Sequence, residues 1–189
     1  MKTKQELRKE MKQTLLSIHS DTFASWSETI TKHVIHLPEW QNAQTIGVTI
    51  SGDYEVNTEG LIKHAWENNK RVVVPKCHPK TKDMTFREIK SFEQLEVVYF
   101  GLKEPIEEQT TSVDQSQIDL VIVPGLYFTK RGYRLGHGGG YYDRYLSSYN
   151  GQTISLAFPM QIVESLPIEE FDVPVQKLVT PSQVITCDD

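Results

Sequence analysis

Two short runs constrain the fold more than anything else in the chain. Arg71 to Pro75 (RVVVP) and Ile118 to Pro124 (IDLVIVP) are apolar at nearly every position. A strand with one wet face alternates polar and apolar residues. A run that does not alternate belongs to a strand covered on both faces, as in parallel sheets. Thr45 to Ile50 reads as a strand. A helix capped by Asn57 or Thr58 then runs to about Asn69, with Leu61, Ile62, Ala65 and Trp66 inward, before Arg71 to Pro75 begins. Strand, helix and strand within about thirty residues make a βαβ unit with a right-handed crossover.

Two helices precede this unit. Residues 3 to 19 carry Leu7, Met11, Leu15 and Ile18 at helical spacing. Asp21 to Leu37 carries Phe23, Trp26, Ile30, Val34 and Leu37, and Pro38 ends it. Met84 to Ile89 and Thr153 to Phe158 read as further strands. Phe92 to Phe100 is ambiguous, residues 103 to 116 read as a surface loop, and 177–180 and 183–186 as short edge strands. The expected class is α/β, layered around a mostly parallel sheet. A length of 189 residues suits one domain, 1–189.

Composition narrows the function. Hydrophobic residues are 38% and charged residues 24%, as in globular chains, and the formal net charge of −5 argues against a general nucleic-acid binder. Cys77 and Cys187 stand far apart without a His/Cys cluster, which points to reduced thiols and a cytoplasmic location. No apolar run reaches membrane-spanning length, no secretory segment is visible at Met1 to Glu6, and nothing demands more than a monomer.

The chemistry concentrates in Gly132 to Leu146, where Gly136, Gly138, Gly139 and Gly140 fall within five positions. An ordinary turn needs one or two glycines, so four imply close approach of a ligand to the backbone. The stretch follows a buried strand and opens a helix at Gly139 or Gly140, with Tyr141, Tyr145 and Leu146 inward. Beyond the carboxyl ends of sheet strands, such a helix start suits phosphate, and Arg134 adds a fork of donors. The pattern is not GxxxxGK[ST], and GxGxxG fails at its third glycine. Asp143, in the first turn, either complements the helix dipole or holds Mg²⁺ beside nucleotide phosphates. One of Tyr141 and Tyr142 faces the core and the other a ligand. His137, with glycines on either side, reads as a filler more readily than as a base. Lys4 and Arg8 share a helix face that is either solvated or delivered to an anion. No GxSxG, HExxH or CxxC is present, which fits phosphoryl transfer by positioning and charge.

Arg134 to Leu146 resembles the signature of the 5-formyltetrahydrofolate cyclo-ligase family. Val121 to Phe128 with Gly132, Lys4 to Arg8, Glu55 to Thr58, Phe100 to Pro105 and Asp172 match further family segments in order. The resemblance implies a Rossmann-like three-layer α/β/α sandwich of the kind seen in sugar-phosphate isomerases and acyl-CoA transferases. It implies ATP- and Mg²⁺-dependent conversion of 5-formyltetrahydrofolate to 5,10-methenyltetrahydrofolate, with ADP and phosphate released. It would place ATP on Lys4, Arg8, Arg134, Leu135, Gly136, His137, Gly138, Gly139, Gly140, Tyr141 and Tyr142. Mg²⁺ would fall on Asp143 and Asp172, and folate on Glu55, Asn57, Gly138, Gly139, Gly140 and Tyr141. Arg134, Tyr142 and Asp143 would carry the catalysis. Asn57 stands where the family often has an acid, and His137 occupies a variable site. The alternatives are an isomerase or acyl-CoA transferase on a related sheet, for which no base or glutamate nucleophile is evident, and a non-catalytic folate or nucleotide binder.

Overall fold

The computed structural model describes residues 1–99 and 101–187; Phe100, at the head of the mid-chain family segment, lies outside them. Among the described residues five helices, α1 (Lys4–Leu16), α2 (Ser20–Ile35), α3 (Pro38–Asn42), α4 (Glu59–Glu67) and α5 (Tyr141–Leu146), accompany twelve strands. These are β1 (Thr45–Gly47), β2 (Arg71–His78), β3 (Asp83–Ile89), β4 (Leu95–Tyr99), β5 (Leu102–Pro105), β6 (Thr111–Val113), β7 (Leu120–Ile122), β8 (Tyr127–Phe128), β9 (Arg134–Leu135), β10 (Gln152–Leu156), β11 (Lys177–Val179) and β12 (Val184–Thr186). The main sheet runs β12-β11-β10-β7-β1-β2-β3-β6. Its five central strands are parallel, and β12, β3 and β6 join antiparallel.

The non-alternating runs are buried on both faces, as expected. Val72, Val74, Leu120 and Ile122 pack into a core with α1 to α4, whereas Val73, Val121 and Val123 pack on the opposite face with Phe86, Leu146 and the tyrosines of α5. The result is an α/β sandwich with a heavy layer on one side and a light one on the other.

Four expectations need correction. Residues 103–116 are not a surface loop. They hold β5, β6 and two 3₁₀ turns, and Glu104 and Pro105 are buried against β2. The polar sequence conceals this, because Glu104 goes inside with partners of its own. Strand β11 is interior rather than an edge, flanked by β10 and β12. Pro38 does more than end a helix: it opens α3 at a first-turn position, where its missing N–H costs nothing. In α5 the tyrosine with the buried hydroxyl is Tyr142 rather than Tyr141. Among the described residues no helix is long and apolar enough to cross a membrane.

Candidate active site

The parallel strands deliver their carboxyl ends to one rim. β1 leads into the loop of Thr49 and Glu55, β7 into the glycine stretch, β10 into residues 157–173, and β2 into Lys76 and Cys77. Every sequence-derived candidate except the α1 residues comes from these connections.

Helix α1 reaches the rim from outside. Its start is fixed by a capping box: Glu6 N–H donates to Thr3 Oγ1 and Thr3 N–H to Glu6 Oε2, both at 3.1 Å. Met11 and Leu15 bury one stripe. The Tyr127 hydroxyl donates to Leu7 O at 2.9 Å and ties the helix to β8. The neighbouring stripe, Lys4, Arg8 and Lys12, therefore faces the glycines. Arg8 Nε donates to Gly136 O at 2.8 Å, and Lys4 Nζ pairs with Glu169 at 3.0 Å. Lys12 sits over the ring of Tyr54 at 5.8 Å. The basic face is directed at the glycine loop. Lys12 was not singled out from sequence, although its i+4 spacing from Arg8 was the available signal.

The loop itself is tightly framed. Gly138 has φ +106, and a Cβ there would stand 3.5 Å from the Arg8 guanidinium. A Cβ at Gly139 would lie 2.6 Å from the Tyr141 ring. The glycines thus form a thin partition between Arg8 and Tyr141. His137 is an exposed residue whose ring lies 6.1 Å from that of Tyr54. Crowding of the ring, then the charges of Lys12 and Arg8, holds its imidazole down to about 4. It is neutral near pH 7. Leu135 is buried, and its carbonyl accepts from Leu126 N–H, so it braces the β8–β9 hairpin. Gly140 is the N-cap of α5, only six residues long; the α1 cations supply far more positive potential than that helix start.

Arg134, Asp143 and the 169–173 segment form one cluster. Arg134 Nη2 donates to Asp143 Oδ1 at 3.0 Å and Nη1 to Val173 O at 2.9 Å. Val173 N–H also donates to Asp143 Oδ1, at 3.2 Å. Burial works against the charge on Arg134, and the Asp143 carboxylate counters it. Asp172 Oδ2 accepts from Glu169 N–H at 2.8 Å, one residue before Val173. Asp143 and Asp172 are thereby brought to the same corner, with Lys4 attached through Glu169. Among the described residues no group of three or more His, Cys, Asp or Glu gathers as a metal cage. One or two carboxylates completed by water and phosphates is the usual donor set for Mg²⁺, and Asp143 Oδ2 accepts no bond from the described residues. The corner fits that ion.

Across the rim, Ser51 and Thr58 close the β1–α4 loop reciprocally. Ser51 N–H donates to Thr58 Oγ1 at 3.2 Å and Thr58 N–H to Ser51 Oγ at 3.1 Å. Within this loop Glu55 Oε1 accepts from Gly52 N–H at 2.8 Å. Burial raises the Glu55 carboxyl above its ordinary range, and the Gly52 N–H partly opposes this. The Tyr142 hydroxyl is buried near Thr49 and Glu55 without a well-formed hydrogen bond, and burial pushes its ionisation far up. Such an unpaired group costs about 1–3 kcal/mol unless a ligand or water meets it. Asn57 is engaged locally through one atom: its Oδ1 accepts from Glu59 N–H at 2.9 Å, at the start of α4.

Sequence reasoning gave Glu104 no role. Its Oε2 accepts from Cys77 N–H at 3.0 Å and Oε1 lies 3.6 Å from Lys76 Nζ. It locks β5 to the end of β2 and holds the Cys77 thiol, already raised by burial, up at about 11. That value removes Cys77 as a nucleophile near neutral pH.

A sequence profile described as the 5-formyltetrahydrofolate cyclo-ligase family matches residues 1–181. The chain belongs to that family. A 5-formyltetrahydrofolate cyclo-ligase of Haemophilus influenzae is 31% identical over 176 residues, covering 91% of this chain and 94% of its own. One from Escherichia coli K12 is 36% identical over 146 residues, 75% and 80% of the two chains. The solved structure of Aquifex aeolicus 5,10-methenyltetrahydrofolate synthetase superposes with a TM-score of 0.86 at 30% identity, covering 98% of this chain and 93% of that one.

Proposed function

We propose that the protein is an ATP- and Mg²⁺-dependent 5-formyltetrahydrofolate cyclo-ligase working at this rim. The carrying observation is the glycine partition, with Arg8 of the α1 basic stripe against Gly138 and Tyr141 against Gly139, and the buried Tyr142 hydroxyl near Glu55 close by. Membership of the family and relatives of that name at 31–36% identity support the reading.

ATP phosphates would lie along Arg8, Lys12, Lys4 and the backbone of Gly136 to Gly140. Asp143, with Asp172 beside it, would hold Mg²⁺, which when bound neutralises phosphate charge as it shifts toward the leaving ADP. Glu55 would accept from the amino and ring N–H groups of the pterin, and the unpaired Tyr142 hydroxyl would meet a polar group of the folate. The formyl oxygen attacks the γ-phosphorus and ADP leaves. N10 then attacks the formyl carbon, loses its proton and expels phosphate, closing a five-membered ring. The protein's part in closure is to hold the folate bent, an orientation effect worth roughly 7–11 kcal/mol at most. His137, neutral near pH 7 beside the charges of Lys12 and Arg8, would not compete with them for the phosphates.

The assay is direct. 5-Formyltetrahydrofolate with Mg-ATP should generate the near-ultraviolet absorbance of methenyltetrahydrofolate, and omission of ATP should abolish it. Folded protein giving no absorbance change would overturn the proposal. Product formed without nucleotide would point instead to isomerase-type chemistry.

A further inference from the structure

Of the three cations that α1 turns toward the glycine loop, Lys4 stands apart. Among the described residues Arg8 and Lys12 form no ion pair, whereas Lys4 Nζ lies 3.0 Å from Glu169 Oε1. The two side chains are 33% and 50% exposed. A pair this open to water adds little to stability. It does, however, set a carboxylate against one member of a stripe that is otherwise without a counter-charge.

Glu169 is carried on a small closed turn. Its N–H donates to Asp172 Oδ2 at 2.8 Å, and Asp172 N–H donates to Glu169 O at 3.0 Å. The turn hangs between two anchors: Leu166 packs against the core, and Val173 is held by Arg134 and Asp143. Between these anchors Ile168 and Phe171 are 47% and 64% exposed. The Glu169 side chain can therefore let go of Lys4 without breaking core packing and without opening the turn. A phosphate brought to Lys4 would meet the like charge of Glu169 beside it, so the two anions exclude one another from the ammonium.

We infer that Glu169 is an internal competitor for the nucleotide: it holds Lys4 in the nucleotide-free protein and is displaced when phosphate takes its place. The inference rests on the ATP reading above. It adds that Lys4 changes partner on binding, and that part of the affinity the α1 cations could give is withheld by the protein's own carboxylate.

The test is a double-mutant cycle on binding rather than turnover. Calorimetric titration with AMP-PNP, an ATP analogue with an imido-linked γ-phosphate, is run with and without magnesium and without folate. Glu169→Gln should lower the Kd about two- to five-fold, the scale of one exposed charge pair. Its Tm should move by no more than about 4 °C, which shows that the variant is folded. Lys4→Met should raise the Kd, and adding Glu169→Gln to it should bring almost no further gain, because the contested ammonium is gone. Glu169→Gln binding no tighter than wild type overturns the inference alone. So does an equal gain in the Lys4→Met background, which would mean that Glu169 acts by general repulsion and does not compete for Lys4. Wild-type protein that binds no AMP-PNP under either condition overturns the ATP reading and this inference with it.

Discussion

Replacing Asp143 by alanine removes the acceptor of two hydrogen bonds at once, one from Arg134 Nη2 and one from Val173 N–H. It also strands a guanidinium whose side chain is only 4% exposed. Breaking a buried ion pair from one side costs about 3–5 kcal/mol. Asp143 itself is 23% exposed, so water can reach the gap and the lower end, about 3 kcal/mol, applies. For a chain of this size that lowers Tm by roughly 6–12 °C. Asparagine keeps an oxygen in the Oδ1 position and both bonds but loses the charge, at a cost of about 1 kcal/mol. If the carboxylate also holds Mg²⁺, both variants lose turnover on the order of 100-fold or more. The two roles therefore separate: thermal unfolding distinguishes Asp143→Ala from Asp143→Asn, and the absorbance assay does not. Equal Tm loss in both variants would refute the pairing argument. Near-normal activity of Asp143→Asn at saturating magnesium would refute the metal role.

Arg8→Ala removes a donor that can give phosphate a charge-assisted bond worth about 1.5–3 kcal/mol, so the KM for ATP should rise roughly 10- to 100-fold. The KM for folate should change much less, and equal rises in steady-state measurements would mean that α1 is only a brace. His137 gives the pH prediction. Its folded-state value of about 4 lies below the ordinary 6.5. The unfolded chain therefore takes up a proton that the fold refuses, and stability is lost as pH falls from 6.5 toward 4. Phosphates placed beside Arg8 and Lys12 would reverse that pressure, so ATP binding at pH 5.5 should take up at most about one proton through this residue. Calorimetry in buffers of different ionisation enthalpy should show more uptake for wild type than for His137→Gln, and identical uptake would exclude phosphate from that position.

The sheet was legible because RVVVP and IDLVIVP cannot be half-wet strands, and the structure buries each on both faces. The α1 cations were legible as a pair but not as a direction. What turns them to the glycines is Tyr127 bonding to Leu7 O, 120 residues away, and no local pattern encodes that. Asp143 was read as a dipole or metal residue, and its bond to Arg134 was missed because the two are nine residues apart across a loop of unknown path. The 103–116 error has the same origin. Glu104 looks solvated in sequence, and only the Cys77 amide and Lys76 explain why a carboxylate is inside. Asn57 matched a family segment, yet its side chain is used to start α4.

The bond from Lys4 to Glu169 spans 165 positions, and that from Arg8 to Gly136 spans 128. During synthesis, the first helix thus emerges long before anything it serves. Until residue 173 is clear of the ribosome, Arg134 and Asp143 lack their shared partner and Lys4 has no counterion. Nascent and prematurely terminated chains should carry the α1 cations without a closed site, and so should show no cyclo-ligase turnover. The cost is slow assembly, because contacts this distant must wait for most of the chain to order.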